Sequence, residues 1–176
     1  MAFSSPLKLD PFTQEDFSRL ISWVKSAEEL MAFAGPNFKF PLTVEQLKGY
    51  LADNKSHPFK VIDKATNTVI GHAEVALTED GNAKLCRILI GDEQFRGKGL
   101  GQEITQQLLE YAFREFDLER IELNVFDWNL PAIKCYEKVG FVVNPSITRQ
   151  REVNGKKWNA INMQIQKSDW ERNTKE

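Results

Sequence analysis

The sequence predicts a mixed α/β (α+β) fold: one mostly antiparallel sheet with a central parallel strand pair and helices on both faces. Three observations predict it. The runs Phe59–Asp63, Val69–Leu77 and Ala83–Ile90 are rich in strand-forming residues and are separated by short turn signals around Ala65–Asn67 and Glu79–Asn82, which reads as an antiparallel meander. After Gly101 the apolar positions Ile104, Leu108, Tyr111, Ala112 and Phe116 recur every three or four residues, and Arg120–Phe126 then alternates as a strand. Strand, helix, strand in that order makes a parallel crossover. The third observation is size: 176 residues, 41% hydrophobic and 27% charged, suffice for one core, so a single domain over residues 1–176 is expected.

The elements follow in order. Phe3–Leu9 alternates loosely like an edge strand. Thr13 with Asp16 three residues on forms a helix-cap signature ahead of Phe17, Leu20, Ile21 and Val24 at helical spacing. The segment after Val24 is aromatic and irregular, with Phe38–Pro41 loop or extended, until Thr43 caps a second helix through Val44, Leu47 and Leu51. Beyond the crossover, whose helix ends near Asp117, Asn129 caps a shorter helix through Pro131, Ile133, Tyr136 and Val139, stopped by Gly140. Phe141–Val143 and Lys157–Ile165 read as two closing strands.

Several function classes are excluded early. Lys plus Arg total 23 against 25 Asp plus Glu, a formal charge of -2, so no basic field exists for nucleic acid or anionic lipid. The longest apolar runs fall well short of the roughly 20 residues of a bilayer span, and the N-terminus lacks a basic region followed by an apolar stretch; a cytoplasmic location without membrane or nucleic-acid partners is expected. Cys86 and Cys135 stand apart with no CxxC and no nearby His, which predicts no metal site and assigns both to packing.

One stretch carries chemistry. Arg96-Gly97-Lys98-Gly99-Leu100-Gly101-Gln102 joins the strand ending at Ile90 to the long helix. A helix N-terminus presents unpaired N–H groups and partial positive charge, and glycines let an anionic ligand approach the backbone. Gln102 breaks G-x-G-x-x-G, and no P-loop pattern is present, so dinucleotide and triphosphate sites drop in rank.

With the later stretch Asn129-Leu130-Pro131-Ala132-Ile133-Lys134-Cys135-Tyr136-Glu137-Lys138-Val139-Gly140-Phe141, this segment resembles the GNAT N-acetyltransferase superfamily. The two stretches match its R/Q-x-x-G-x-G/A and N-x-x-A-x-x-x-Y-E-K-x-G-F motifs, in order, within a core of about residues 83–141. The resemblance implies a GNAT-like fold whose parallel pair is splayed, and acyl transfer from acetyl-CoA to a primary amine by direct attack in a ternary complex. It implies that the amides from Gly97 to Gln102, including Lys98, Gly99, Leu100 and Gly101, bind the pyrophosphate with Arg96 beside them. It implies that the Leu89-Ile90-Gly91 edge holds the pantetheine and thioester carbonyl, that Asn129 bonds the cofactor arm, and that Tyr136 acts as general acid toward the departing thiolate. A phenol of pKa near 10 suits that last role.

The base is open. Where some family members carry a glutamate five residues ahead of the Asn motif, this chain has Asn124, which cannot accept a proton. Glu74 is the foremost candidate, with Glu122, Asp127 and a water relay beside it. Trp23, Phe33, Phe38 and Phe40 mark a region that could line an acceptor site. The acceptor is a small-molecule amine or a protein N-terminus, a homodimer is left open, and a non-catalytic acyl-CoA-binding sensor is the alternative function.

Overall fold

The computed structural model describes residues 4–175. Strands β1 (Leu7–Pro11), β2 (Ser56–Asp63), β3 (Thr68–Leu77), β4 (Ala83–Ile90), β5 (Arg120–Phe126), β6 (Val142–Val153) and β7 (Lys156–Gln166) form one sheet in the order β1-β2-β3-β4-β5-β7-β6. Every neighbour pair is antiparallel except β4–β5. The first expected strand begins in part outside the described residues, at Phe3, and its described portion runs to Pro11.

Helices α1 (Phe17–Trp23), α2 (Ala27–Ala34) and α3 (Val44–Ala52) cover one face; α4 (Leu100–Glu115) and α5 (Leu130–Val139) cover the other, and α6 (Lys167–Asn173) follows β7. Strand alternation at the end of β4 shows the division. Leu89 packs into the cluster built from Phe17, Leu20, Leu30, Phe33, Leu47 and Tyr50, whereas Ile88 and Ile90 pack with Ile104, Leu108, Leu109 and Ala112 of α4.

Local chemistry sets the helix starts. Thr13 and Asp16 form the expected capping box, and Asp16 also holds Arg19 at 2.7 Å and Lys60 at 3.5 Å. Thr43 Oγ1 accepts from the Gln46 N–H at the start of α3. Helix α2 was not expected: it fills the segment read as irregular. Its start is Ser26, whose Oγ accepts from Glu29 N–H at 3.1 Å while Glu29 Oε2 accepts from Lys25 N–H.

The second departure is β6, far longer than Phe141–Val143. Asn154 and Gly155, both at positive φ, turn it into β7 as a two-residue hairpin.

The feature that positions the site is the β4–β5 junction. The two strands pair only at Ala83↔Ile121 and Lys84↔Glu122 and then part, leaving the β5-facing edge of β4 open. On its other edge β4 carries a bulge between the pairs His72↔Leu89 and Glu74↔Cys86, where Arg87 stands at φ +50°.

Candidate active site

The splay opens a cleft of about 1030 Å³. Its walls are the end of β4, the β5 residues Leu123–Phe126, the N-terminal turns of α4 and α5, the end of α2, and β6.

At one end lies the glycine-punctuated turn. Gly97 (φ +73°) and Gly99 (φ +75°) both adopt left-handed backbone that a side chain would strain, and Gly99 is the N-cap of α4. No protein atom lies within 4 Å of a Cβ built at either position, so the turn is backbone open to a ligand. Arg96, Gly97, Gly99, Gly101 and Gln102 line the cleft. Two expected residues turn elsewhere: the Lys98 ammonium sits 5.2 Å from the centre of the Phe95 ring, and Leu100 packs against the α4 core. For these two, only the backbone belongs to the turn.

The strand edge is more selective than expected. Gly91 N–H donates to Ile70 O at 2.9 Å, and a Cβ on Gly91 would lie 1.9 Å from the Trp23 ring. Gly91 therefore faces β3 beneath Trp23, and strand alternation turns the Leu89 backbone the same way, its carbonyl against Gly71. Ile90 points oppositely: its carbonyl accepts from Arg96 Nε at 2.9 Å, and its N–H looks to the open edge, as does that of Ile88 two residues earlier. Of the expected Leu89-Ile90-Gly91 edge, Leu89 and Ile90 line the cleft, and the backbone N–H groups that face its open side are those of Ile88 and Ile90.

Across the cleft, Asn129 Oδ1 caps α5 by accepting from Ala132 N–H at 3.4 Å, which leaves its amide N–H₂ as a donor toward the cleft that it lines. Tyr136, nearly two turns along α5 from Asn129, lines the same space. Burial, with the neighbouring Cys135, pushes its phenol well up, so the hydroxyl keeps its proton. Burial also raises the thiols of Cys86 and Cys135, which stay protonated and poor as nucleophiles.

Glu74 is placed differently from a cleft base. It is 1% exposed and does not line the cleft; Oε2 accepts from Arg87 Nη1 at 2.6 Å and from the Tyr50 hydroxyl at 2.5 Å, and Oε1 accepts from Ser56 Oγ at 2.9 Å. The expectation of Glu74 as base is corrected accordingly: it anchors Arg87. His72 completes the cluster by donating from Nδ1 to the Arg87 carbonyl at 2.8 Å; burial, chiefly, depresses its pKa to about 4 and keeps it neutral. Of the other base candidates, Glu122 pairs with Lys84 at 3.5 Å and Asp127 lies outside the cleft wall. Among the described residues, no carboxylate lines the cleft.

Of the aromatic residues read as an acceptor region, Phe33 lines the cleft and Trp23, Phe38 and Phe40 do not; apart from Phe33, two groups of cleft residues escaped the sequence reading. Met31–Asn37 come from α2 and the turn after it, which Ser26-x-x-Glu29 signalled; Arg149 and Arg151 come from β6, which the Asn154-Gly155 turn signalled.

Comparison with known proteins agrees with this architecture. A family model described as an acetyltransferase (GNAT) domain matches residues 7–142. A spermine/spermidine N(1)-acetyltransferase of Bacillus subtilis (strain 168) is 33% identical over 79 residues, 45% of this chain and 49% of that protein, so the chain spans about half the length of that relative. An aminoglycoside N(6')-acetyltransferase type 1 of Klebsiella pneumoniae is 28% identical over 151 residues, 77% of this chain and 74% of that one. The crystal structure of a spermidine N-acetyltransferase from Vibrio cholerae, in complex with CoA and spermine, superposes with a TM-score of 0.79 at 24% identity, covering 95% of this chain and 99% of that one. At that identity the likeness is one of fold.

Proposed function

Since the chain belongs to the GNAT acetyltransferase family, we propose that it transfers the acetyl group of acetyl-CoA to a primary amine by direct attack in a ternary complex. The observation that carries this reading is the splay itself. Parallel strands that pair at two positions and then part leave an unpaired β4 edge beside an uncrowded glycine turn, in one continuous cleft. A sheet edge left open inside a domain is costly unless something pairs with it.

The chain's residues fit the cofactor. The left-handed turn at Gly97 and Gly99 offers backbone N–H groups of the α4 N-terminus to a pyrophosphate, with Arg96 alongside. The Ile88 and Ile90 N–H groups suit the amide-bearing pantetheine arm and the thioester oxygen, and the Asn129 amide suits the arm from the other wall. When bound, acetyl-CoA supplies an activated thioester acyl group.

Four tasks then fall to the protein. The open β4 edge stabilises negative charge on the carbonyl oxygen. Tyr136, held protonated by burial, donates toward the sulfur as thiolate character develops. The bulge at Arg87, fixed by Glu74 and His72, sets the register that turns Ile88 and Ile90 outward. Removal of the ammonium proton, with no carboxylate in the cleft wall, falls to water in the cleft.

The test is turnover and binding together. Thiol release from acetyl-CoA in the presence of a primary amine supports transfer, and binding of acetyl-CoA without release for any amine favours the sensor alternative. Tyr136→Phe is expected to lower kcat about a hundredfold while leaving the Kd for acetyl-CoA nearly unchanged. Equal losses in both would contradict the assigned role.

A further inference from the structure

The charges around the cleft are one-sided. Arg96, Lys134 and Lys138 line it at the α4–α5 end, Lys84 and Arg87 line its floor, and Arg149 and Arg151 line it from β6. Lys84 is paired with Glu122 and Arg87 with Glu74, and the cations of the α4–α5 end lie where the cofactor phosphates are read to bind. Arg149 and Arg151 have neither assignment: among the described residues, neither pairs with a carboxylate.

Their placement is specific. Opposite Ala160 and Trp158 in the regular part of the β6–β7 ladder, they stand two residues apart, so they share one face and sit about 7 Å apart along the strand. Arg149 and Arg151 line the cleft together with Met31–Asn37. Helix α2 packs on β6, and Asn154 at the hairpin turn donates to Glu28 at the start of α2, which ties the two walls together. These walls carry none of the glycine-turn residues, so they are the part of the cleft left for an acceptor.

A polycationic amine entering there would meet arginines and no carboxylate, leaving each of its distal ammonium groups without a partner. An amine that carries an anion meets two guanidinium forks suited to hold it. We infer that the acceptor is a primary amine bearing an anionic group, a carboxylate or a phosphate, which Arg149 and Arg151 hold while the amine reaches the β4 edge. This rests on the acetyl-transfer reading, and it separates this chain from the polyamine and aminoglycoside acceptors named for its relatives.

Calorimetric titration of the CoA-saturated protein with 5-aminopentanoate, 5-aminopentyl phosphate and 1,5-diaminopentane tests it. At least one anionic probe is expected to bind about tenfold more tightly than the diamine, and which one does identifies the anion. The Arg149→Gln/Arg151→Gln variant should bring that ratio near one, and Arg149→Glu/Arg151→Glu should invert it. Because the ratio is read within one folded protein, loss of stability does not mimic the effect. Equal or tighter binding of the diamine, or no binding of any probe to protein that binds CoA, overturns the inference alone. Failure to bind CoA or acetyl-CoA overturns the acetyl-transfer reading beneath it.

Discussion

Arg87 is the residue on which the site's geometry turns. Its backbone makes the bulge, its carbonyl takes a hydrogen bond from His72, and its guanidinium lies 2.6 Å from a nearly sealed carboxylate. Removing one partner of a buried pair leaves the other charge uncompensated, so Arg87→Met is expected to cost about 3 kcal/mol in urea unfolding, and adding Glu74→Gln should recover much of it. His72 supplies a pH-dependent term. Its folded pKa of about 4 lies below the ordinary 6.5, so the unfolded chain binds the proton more readily, and stability falls as pH drops from about 6.5 toward 4. Between pH 7 and pH 5 that amounts to about 2 kcal/mol, which His72→Asn should remove from the pH dependence of the urea midpoint. A midpoint that moves identically in both proteins would contradict this account. Neither role was legible in the sequence, because a glutamate, an arginine and a histidine on separate strands reveal their pairing only through register.

At the level of elements, the motifs that announced themselves were those whose chemistry is local. The Asn129 cap, the Gly140 stop and the glycine turn before α4 are each set by a few neighbouring residues, and each formed as read. Helix α2 and the length of β6 were missed although Ser26-x-x-Glu29 and Asn154-Gly155 encode them locally; the aromatic residues around α2 and the polar face of β6 masked the periodicity. Orientation along β4 was beyond reach, since alternation after a bulge depends on where the bulge falls. Two outcomes belong here. Gly99→Val forces a β-branched residue to φ +75° and fills the turn, and is expected to weaken acetyl-CoA binding more than tenfold by calorimetry. Ser26→Ala removes the α2 cap at a cost of about 1 kcal/mol, and should raise KM for the amine more than for acetyl-CoA if α2 lines the part of the cleft proposed for the acceptor.

Across the whole molecule, one sheet serves two purposes: its paired strands carry two apolar cores, and the parting of β4 from β5 opens the cleft. The fold class was readable from the meander and the crossover, and the splay followed only from the family resemblance, since nothing in the composition of β4 or β5 shows where parallel pairing stops. The cleft's inventory also fixes its pH behaviour. Under the proposed transfer, with no carboxylate in the wall, Tyr136 raised and His72 neutral above about pH 4, the acceptor's own ammonium near pKa 10 would govern the rate. Log kcat/KM should therefore climb with nearly unit slope from pH 6 to 9; a plateau beginning near neutrality would reveal a protein base that the cleft wall does not contain.

The most direct test of the central claim is calorimetric titration with acetyl-CoA and with dephosphorylated pantetheine, followed in the same sample by thiol release on addition of primary amines. The account predicts binding that depends on the phosphates, and thiol release for an amine class. Equal affinity for the two ligands, or no binding of either, would contradict a pyrophosphate cradle at Gly97–Gln102 and with it the acetyl-transfer reading.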